Sequence, residues 1–155
     1  MPKIRNLCTC EGFLNVLQVC LSLAAIIGSS VIWNDGNVAL FIYYSGYGWQ
    51  ILINVILIAT FIFSCFLLIL NVLGGNNLLE TIGKPKALSS YALIFLLLIV
   101  AGGLETWYAT LASSEPSGAY WNWAGIYRPR FIATAVFTWL TWLTYAILLG
   151  LNFMY

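Results

Sequence analysis

Of the 155 residues in the chain, 62% are hydrophobic and only 7% are charged, and the mean hydropathy is +0.93. So apolar a composition is typical of an integral membrane protein and excludes a water-soluble globular domain of this size. The net charge of +1 gives no reason to expect a nucleic acid partner, and the absence of histidine excludes histidine-dependent nucleophiles and histidine-containing metal sites.

Four apolar runs are each long enough to cross roughly 30 Å of hydrocarbon at about 1.5 Å per residue of helix. The runs are Phe13 to Trp33, Gln50 to Leu73, Leu88 to Ala112 and Phe131 to Phe153. The first run is too long for the apolar part of a cleavable signal peptide. The sequence therefore predicts an all-α integral membrane protein, with an N-terminal arm over residues 1–12 and a four-transmembrane-helix bundle with short loops over residues 13–155.

The positive charges predict the orientation of this bundle. Cationic side chains precede the first run and lie between the second and third runs, at Lys3, Arg5, Lys84 and Lys86. The first connecting loop, from Asn34 to Trp49, contains no lysine or arginine. Because cytosolic segments are enriched in these residues, both termini and the middle loop are expected to be cytosolic. Arg128 and Arg130 lie on the opposite side and oppose this orientation, but they are outnumbered.

Small and hydroxyl side chains recur every three or four residues along the runs, which places them on one face of each helix. They are Asn15, Gln18, Ser22 and Ser29 in the first run, and Thr134, Thr138 and Thr141 in the fourth. Such side chains allow close backbone approach and hydrogen bonding between helices in a lipid solvent that gives no hydrophobic drive to associate. The two stripes are therefore predicted to be helix-packing seams.

Glu105 lies within the third run, where a carboxylate is costly. Helical spacing connects it with Gly102, so the side chain is expected to point into the bundle. A structural role predicts a protonated carboxyl group, or a pair with Arg128 or Arg130, with a hydrogen bond to the threonine stripe of the fourth run or to Ser29. A proton or ion pathway, or a docking site for a partner helix or lipid headgroup, are the alternative interpretations.

Cys8 and Cys10 have a C-x-C spacing just before the first run. A closed zinc site needs four ligands, and the chain offers no second cysteine pair or histidine to complete one. Cytosolic cysteines beside a membrane span and a basic arm are instead candidates for S-palmitoylation, with unmodified thiols as the alternative. The sequence thus predicts no metal and no cofactor.

Three stretches share the pattern of a known family. They read "CEGFLNVLQVCLSLAAIIGSS", "YYSGYGWQILINVILIATF" and "RFIATAVFTWLTWLTYAI", with a Tyr-Gly-Trp step at Tyr47, Gly48 and Trp49 leading into the second run. Together they resemble the MARVEL domain, and most of all its small members of the plasmolipin and myelin-and-lymphocyte type. Several members carry cysteines in an outward loop, and this chain departs from them in having none there.

The resemblance implies a non-enzymatic tetraspan protein that acts in membrane organisation, vesicle trafficking, cell junctions or membrane apposition. Its expected partners are membrane lipids, further copies of the chain or other membrane proteins, in the plasma membrane or in secretory or endosomal vesicles. The residues themselves support a four-helix bundle without a catalytic constellation. An accessory subunit of a larger membrane complex, or a small transporter or channel that uses Glu105, are the alternative functions.

Overall fold

The computed structural model describes residues 9–34, 37–40, 48–74, 78–114 and 123–154, and this part of the chain is almost entirely helical. The elements in chain order are α1 (Cys10–Ser30), β1 (Val31–Asn34), β2 (Asn37–Leu40), α2 (Gln50–Ile69), a π-helical turn (Leu70–Gly74), α3 (Leu78–Ile82), α4 (Lys84–Ser114) and α5 (Trp123–Met154).

Four segments of these helices are long and apolar enough to cross a membrane, as the sequence predicted. They are Cys10–Ser30, Gln50–Leu73, Lys84–Ala112 and Arg128–Met154. The prediction of four helices of membrane-spanning length is therefore confirmed. Four such helices are typical of a multi-pass membrane protein.

The start of α1 is fixed by a side-chain cap, because the hydroxyl of Thr9 accepts a hydrogen bond from the Gly12 N–H at 3.2 Å. This bond satisfies one of the N–H groups that the first turn of a helix leaves without a partner. The helix thus begins at Cys10 and includes the last three residues of the predicted N-terminal arm.

The far end of α1 differs from the prediction, which continued the helix to Trp33. The helix ends at Ser30, and the chain turns into an antiparallel β-hairpin in which Val31 lies opposite Leu40 and Asn34 opposite Asn37. The sequence between the paired asparagines is Asp-Gly, a strong signal for a two-residue hairpin turn. Hydropathy cannot detect this change, because an apolar strand and an apolar helix have the same composition.

The middle connection contains elements that the sequence did not predict. After the π-helical turn the short helix α3 ends at Ile82, and α4 begins at Lys84, four residues before the predicted start at Leu88. Gly83 between them has a φ of 88°, a left-handed conformation that favours glycine and breaks the helical path.

Helix α5 begins at Trp123, eight residues before the predicted start at Phe131, and includes Pro129. Hydropathy marks only the apolar part of a helix, and proline lacks the N–H that would bond the carbonyl four residues earlier. The apolar run therefore placed the predicted start at Phe131. The structure instead continues the helix beyond the apolar segment.

The four long helices pack in a closed ring. Helix α1 contacts α2 and α5, α4 also contacts α2 and α5, and the most extensive contact is between α4 and α5. The side chains at the centre are mixed, since fully buried leucine and isoleucine at Leu57, Leu98 and Ile53 alternate with fully buried polar residues. The outward faces are apolar, as shown by Val55, Ile62 and their neighbours on α2.

Candidate functional site

Glu105 is the one carboxyl group that the described part of the chain buries completely, with 0% of the residue exposed. It shares the inward face of α4 with Gly102 and Tyr108, whereas Gly103 and Trp107 on the same two turns are exposed. The carboxyl group therefore points into the bundle and away from the apolar outer surface.

The start of α2 provides the hydrogen-bond partner of this carboxyl group. The Gln50 side-chain Nε2 donates to Oε1 of Glu105 at 3.2 Å, and Gln50 is likewise fully buried. One turn further along α4, the hydroxyl of Tyr108 accepts a hydrogen bond from the Trp49 N–H at 2.8 Å. Two side chains of α4 thus hold the first turn of α2.

The contact of Glu105 and Tyr108 with the start of α2 is favoured electrostatically. The first turn of a helix carries N–H groups without intrahelical partners and a partial positive charge. Trp49, the N-cap of α2, provides no side-chain hydrogen bond of its own. Tyr108 supplies an acceptor from outside the helix, and Glu105 places its carboxyl group beside the same positive end.

The predicted partners of Glu105 were wrong. The hydrogen bond comes from Gln50 and not from Ser29 or the threonine stripe, and among the described residues no ion pair joins Glu105 to Arg128 or Arg130. Sequence periodicity identifies the inward face of a helix but not the depth at which two helices meet. The one available signal was that Gln50 is polar at the start of an otherwise apolar run.

Contacts between α4 and α5 fix the depth of Glu105 in the bundle. The ring pairs Phe95–Trp142 and Tyr108–Phe131 have centroids 5.1 and 5.5 Å apart, and they occur in opposite order along the two helices. The helices are therefore antiparallel, and Glu105 lies at the level between Phe131 and Trp142.

The buried threonines of α5 lie within the same interval. Thr134 and Thr138 are fully buried, and neither hydroxyl has a hydrogen-bond partner in the described structure. The same holds for Oε2 of Glu105 and Oε1 of Gln50. Buried polar atoms are nearly always satisfied, and leaving one unpaired costs about 1–3 kcal/mol. These four oxygen atoms are thus buried groups whose hydrogen-bonding capacity the described residues leave unused.

Helix α1 packs closely against α5 at Thr134. A Cβ atom placed on Gly28 would lie 2.9 Å from the Thr134 hydroxyl, so the two backbones are in close contact there. The predicted stripe residues of α1 are all buried, and they are Asn15, Gln18, Ser22 and Ser29. Gln18 is fully buried, and both polar atoms of its amide lack a partner.

Most hydroxyl groups of the predicted seams bond within their own helix, which differs from the predicted hydrogen bonding between helices. Ser22 donates to the Gln18 carbonyl at 2.6 Å, and Thr141 donates to the Phe137 carbonyl at 2.8 Å. A bond between helices is made by Ser64 of α2 and Tyr145 of α5, whose oxygens are 2.8 Å apart. The small residues of these faces therefore act chiefly through close packing.

No protein-family model, curated protein or solved structure matches this chain. The MARVEL resemblance stays a prediction from the residue pattern.

The remaining predicted site residues lie at the helix ends or outside the described residues. Cys8 and Tyr47 belong to the latter group. Cys10 is the exposed first residue of α1, and Gly48 and Trp49 form the turn that leads into α2. Trp49 is 57% exposed, which leaves its ring available to lipid or to a partner.

Proposed function

We propose that this protein is a non-enzymatic tetraspan membrane protein that organises the lipids around it. Both termini and the connection between α2 and α4, with Lys84 and Lys86 at the start of α4, lie in the cytosol. The MARVEL resemblance and the distribution of lysine support this proposal. Its location would be the plasma membrane or secretory or endosomal vesicles, and its partners membrane lipids and other membrane proteins, including further copies of the chain.

The observation that carries the proposal is the outer side of the α4–α5 seam. A groove of about 590 Å³, here called the Trp139 groove, is lined by Ala109, Ala135, Trp139, Trp142 and neighbouring apolar residues. Its volume is in the range of small-molecule sites, about 300–1,000 Å³. A second apolar groove of about 740 Å³, the Phe153 groove, lies along the same seam between Leu88 and Phe153.

The chemistry of the Trp139 groove favours an apolar occupant. Two of its polar side chains are paired, because Trp139 Nε1 donates to the Thr106 hydroxyl at 3.1 Å and that hydroxyl donates to the Gly102 carbonyl at 2.7 Å. The indole Nε1 of Trp142 is buried and has no hydrogen-bond partner in the described structure. The indole rings of Trp139 and Trp142 are edge to face, at 80° to each other, and form an apolar wall together with two alanines. A rigid sterol ring loses less conformational entropy on such a wall than a flexible acyl chain. We therefore assign the groove to a sterol.

Crosslinking of a photoreactive sterol in membranes that contain the protein tests this assignment. The groove-filling variant Ala109→Phe is expected to reduce crosslinking about tenfold, which corresponds to roughly 1.4 kcal/mol of binding free energy. Ala59→Phe makes the same change on the exposed face of α2 and is expected to leave the crosslinking unchanged. Equal labelling of both variants, or labelling that excess unlabelled sterol does not reduce, would exclude the groove as a sterol site.

A second candidate function, a proton or cation pathway through the bundle, is favoured by the unpaired buried atoms of Glu105 and Gln18. The two residues lie on different helices in an interior that also holds Ser64 and Tyr145. Protein reconstituted in liposomes with an internal pH-sensitive dye tests this function. A pathway predicts proton flux in the wild type that Glu105→Gln abolishes, whereas wild-type flux equal to that of empty liposomes would eliminate it.

A further inference from the structure

A small, partly open cavity lies at the end of the bundle opposite Glu105. It is formed where the start of α1, the π-helical turn after α2, and parts of α3, α4 and α5 converge. Four of its seven lining residues are polar, and the seven are Glu11, Asn15, Leu67, Asn71, Leu78, Tyr91 and Leu148. Neither seam groove has this mixed lining.

The polar lining consists of oxygen-bearing side chains. Asn15 is 6% exposed, and its Oδ1 has no hydrogen-bond partner in the described structure. Glu11 is half-buried, and Asn71 and Tyr91 are buried at 6% and 4% exposure. A carboxylate, two amide oxygens and a phenol oxygen form the type of ligand set that hard cations prefer.

The electrostatics of this end also favour a cation. Glu80 of α3 lies close enough to Glu11 for the two carboxylates to repel each other. The neighbouring cations Lys84 and Lys86 are exposed and do not line the cavity. A half-buried carboxylate with a negative neighbour is stabilised when a positive charge is bound beside it.

Size and charge decide which cation fits. The cavity has a volume of about 10 Å³, close to the minimum of roughly 10–15 Å³ that holds one water molecule. An organic cation is therefore too large. Among the described residues, no three His, Cys, Asp or Glu side chains lie close enough together to hold a metal ion, and a single carboxylate lines the cavity. One negative charge balances a monovalent ion, whereas calcium sites gain affinity from several carboxylates.

We infer that this cavity is a binding site for one sodium ion, held by the Glu11 carboxylate and Asn15 Oδ1 with Asn71 and Tyr91 completing the oxygen shell. Because its ligands come from α1, α4 and the π-helical turn, the bound ion joins three elements at one end of the bundle. The inference concerns residues that the proposed lipid contact does not use, and it stands independently of that proposal.

Thermal unfolding of the purified protein in detergent micelles tests the inference, with tryptophan fluorescence as the readout. Sodium chloride is compared with N-methylglucamine chloride and with calcium chloride at equal ionic strength. Binding to the folded protein predicts a saturable rise of the midpoint, by roughly 3–6 °C when sodium is about ten times its dissociation constant. Equal midpoints in sodium and N-methylglucamine would overturn the proposal, and so would a response to calcium alone.

Variants locate the ion. Glu11→Gln and Asn15→Leu are each expected to abolish the sodium-dependent rise, and Glu105→Gln, the same carboxyl-to-amide change at the other end, to keep it. A rise that persists in both cavity variants, or one lost only in Glu105→Gln, would place the ion elsewhere and contradict the inference.

If the first two variants fail to fold, Tyr91→Phe provides the test, because it removes one oxygen and keeps the ring. This variant is expected to require about tenfold more sodium for the same rise of the midpoint, which corresponds to a loss of roughly 1.4 kcal/mol of binding free energy. An unchanged dependence on sodium concentration would contradict the site.

Discussion

At the scale of single residues, the pairing of Glu105 with Gln50 explains how a carboxyl group is retained in an apolar helix. The contact joins residues that are 55 positions apart and anchors the first turn of α2 against α4. Its second oxygen lacks a partner, so the site is only partly satisfied. A partly satisfied buried group contributes little net stability, because its single hydrogen bond offsets only part of the cost of burial.

Substitutions of Glu105 test this structural role. Glu105→Gln keeps the shape and an oxygen that accepts from Gln50, so we expect the free energy of unfolding to stay nearly unchanged. Glu105→Leu removes every polar atom and is expected to destabilise the bundle by about 0.6 kcal/mol and by at most roughly 2. Equilibrium unfolding in mixed micelles measures both values.

A double-mutant cycle with Gln50→Leu provides the control for this prediction. If the hydrogen bond carries the effect, the double variant is destabilised by less than the sum of the two single variants. Strict additivity would show that the two side chains do not interact. Loss of function in Glu105→Gln at normal abundance and unfolding free energy would instead assign the carboxyl group to a mechanism.

The thiols allow a second prediction at this scale. Cys8 and Cys10 lie beside or at the start of α1, and a cytosolic orientation would expose both to an acyltransferase. Replacement of both by serine is expected to remove hydroxylamine-sensitive acylation, which acyl-exchange labelling detects. Cys20→Ser is the matched control, because Cys20 is also exposed but lies ten residues inside the helix. Acylation that survives the double replacement would contradict this assignment.

At the scale of helices, the α4–α5 contact depends on one glycine and one tryptophan. A Cβ atom on Gly102 would lie 2.9 Å from Cε2 of Trp139, whereas the same atom on Gly103 would meet nothing within 4 Å. The indole ring covers the glycine and is held by its hydrogen bond to Thr106. Adjacent glycines in the same helix thus have different structural roles.

Alanine substitutions distinguish these two roles. Gly102→Ala forces the Trp139 ring to move and is expected to cost about 1–3 kcal/mol of unfolding free energy. Gly103→Ala restricts the backbone without a clash and is expected to stabilise the helix by roughly 0.5–1 kcal/mol. Both are measured by equilibrium unfolding in micelles. Equal effects of the two substitutions would be inconsistent with close packing at Gly102.

At the scale of the whole molecule, the ring of four helices has a different character at each end. The end that contains Glu105 and Gln50 is closed by direct contacts of α4 with α2 and α5. The opposite end contains the small oxygen-lined cavity, with the basic residues Lys84 and Lys86 nearby in the chain. The orientation of these two ends in the membrane decides which solution the cavity faces.

Accessibility of introduced cysteines tests the orientation. In a chain without its native cysteines, Lys86→Cys is expected to resist an impermeant thiol reagent applied to intact cells, because the positive residues predict a cytosolic loop. Asp35→Cys, in the first loop, is expected to react. Permeabilised cells are the control, since both positions should then be labelled. Labelling of Lys86→Cys with protection of Asp35→Cys in intact cells would reverse the orientation.

The sequence alone is enough to predict the number of long helices and the faces that turn inward, because hydropathy and helical periodicity are local properties. It placed Glu105, Gly102 and the two polar stripes on buried faces without any knowledge of their neighbours. Three contacts come from the packing of the helices against one another: Gln50 bonds Glu105, Trp139 covers Gly102, and Glu11 and Asn15 share a cavity with Tyr91. Each of these contacts depends on the relative rotation and depth of separate helices. Those quantities are set by the packing of the whole bundle, and no local pattern in the chain encodes them.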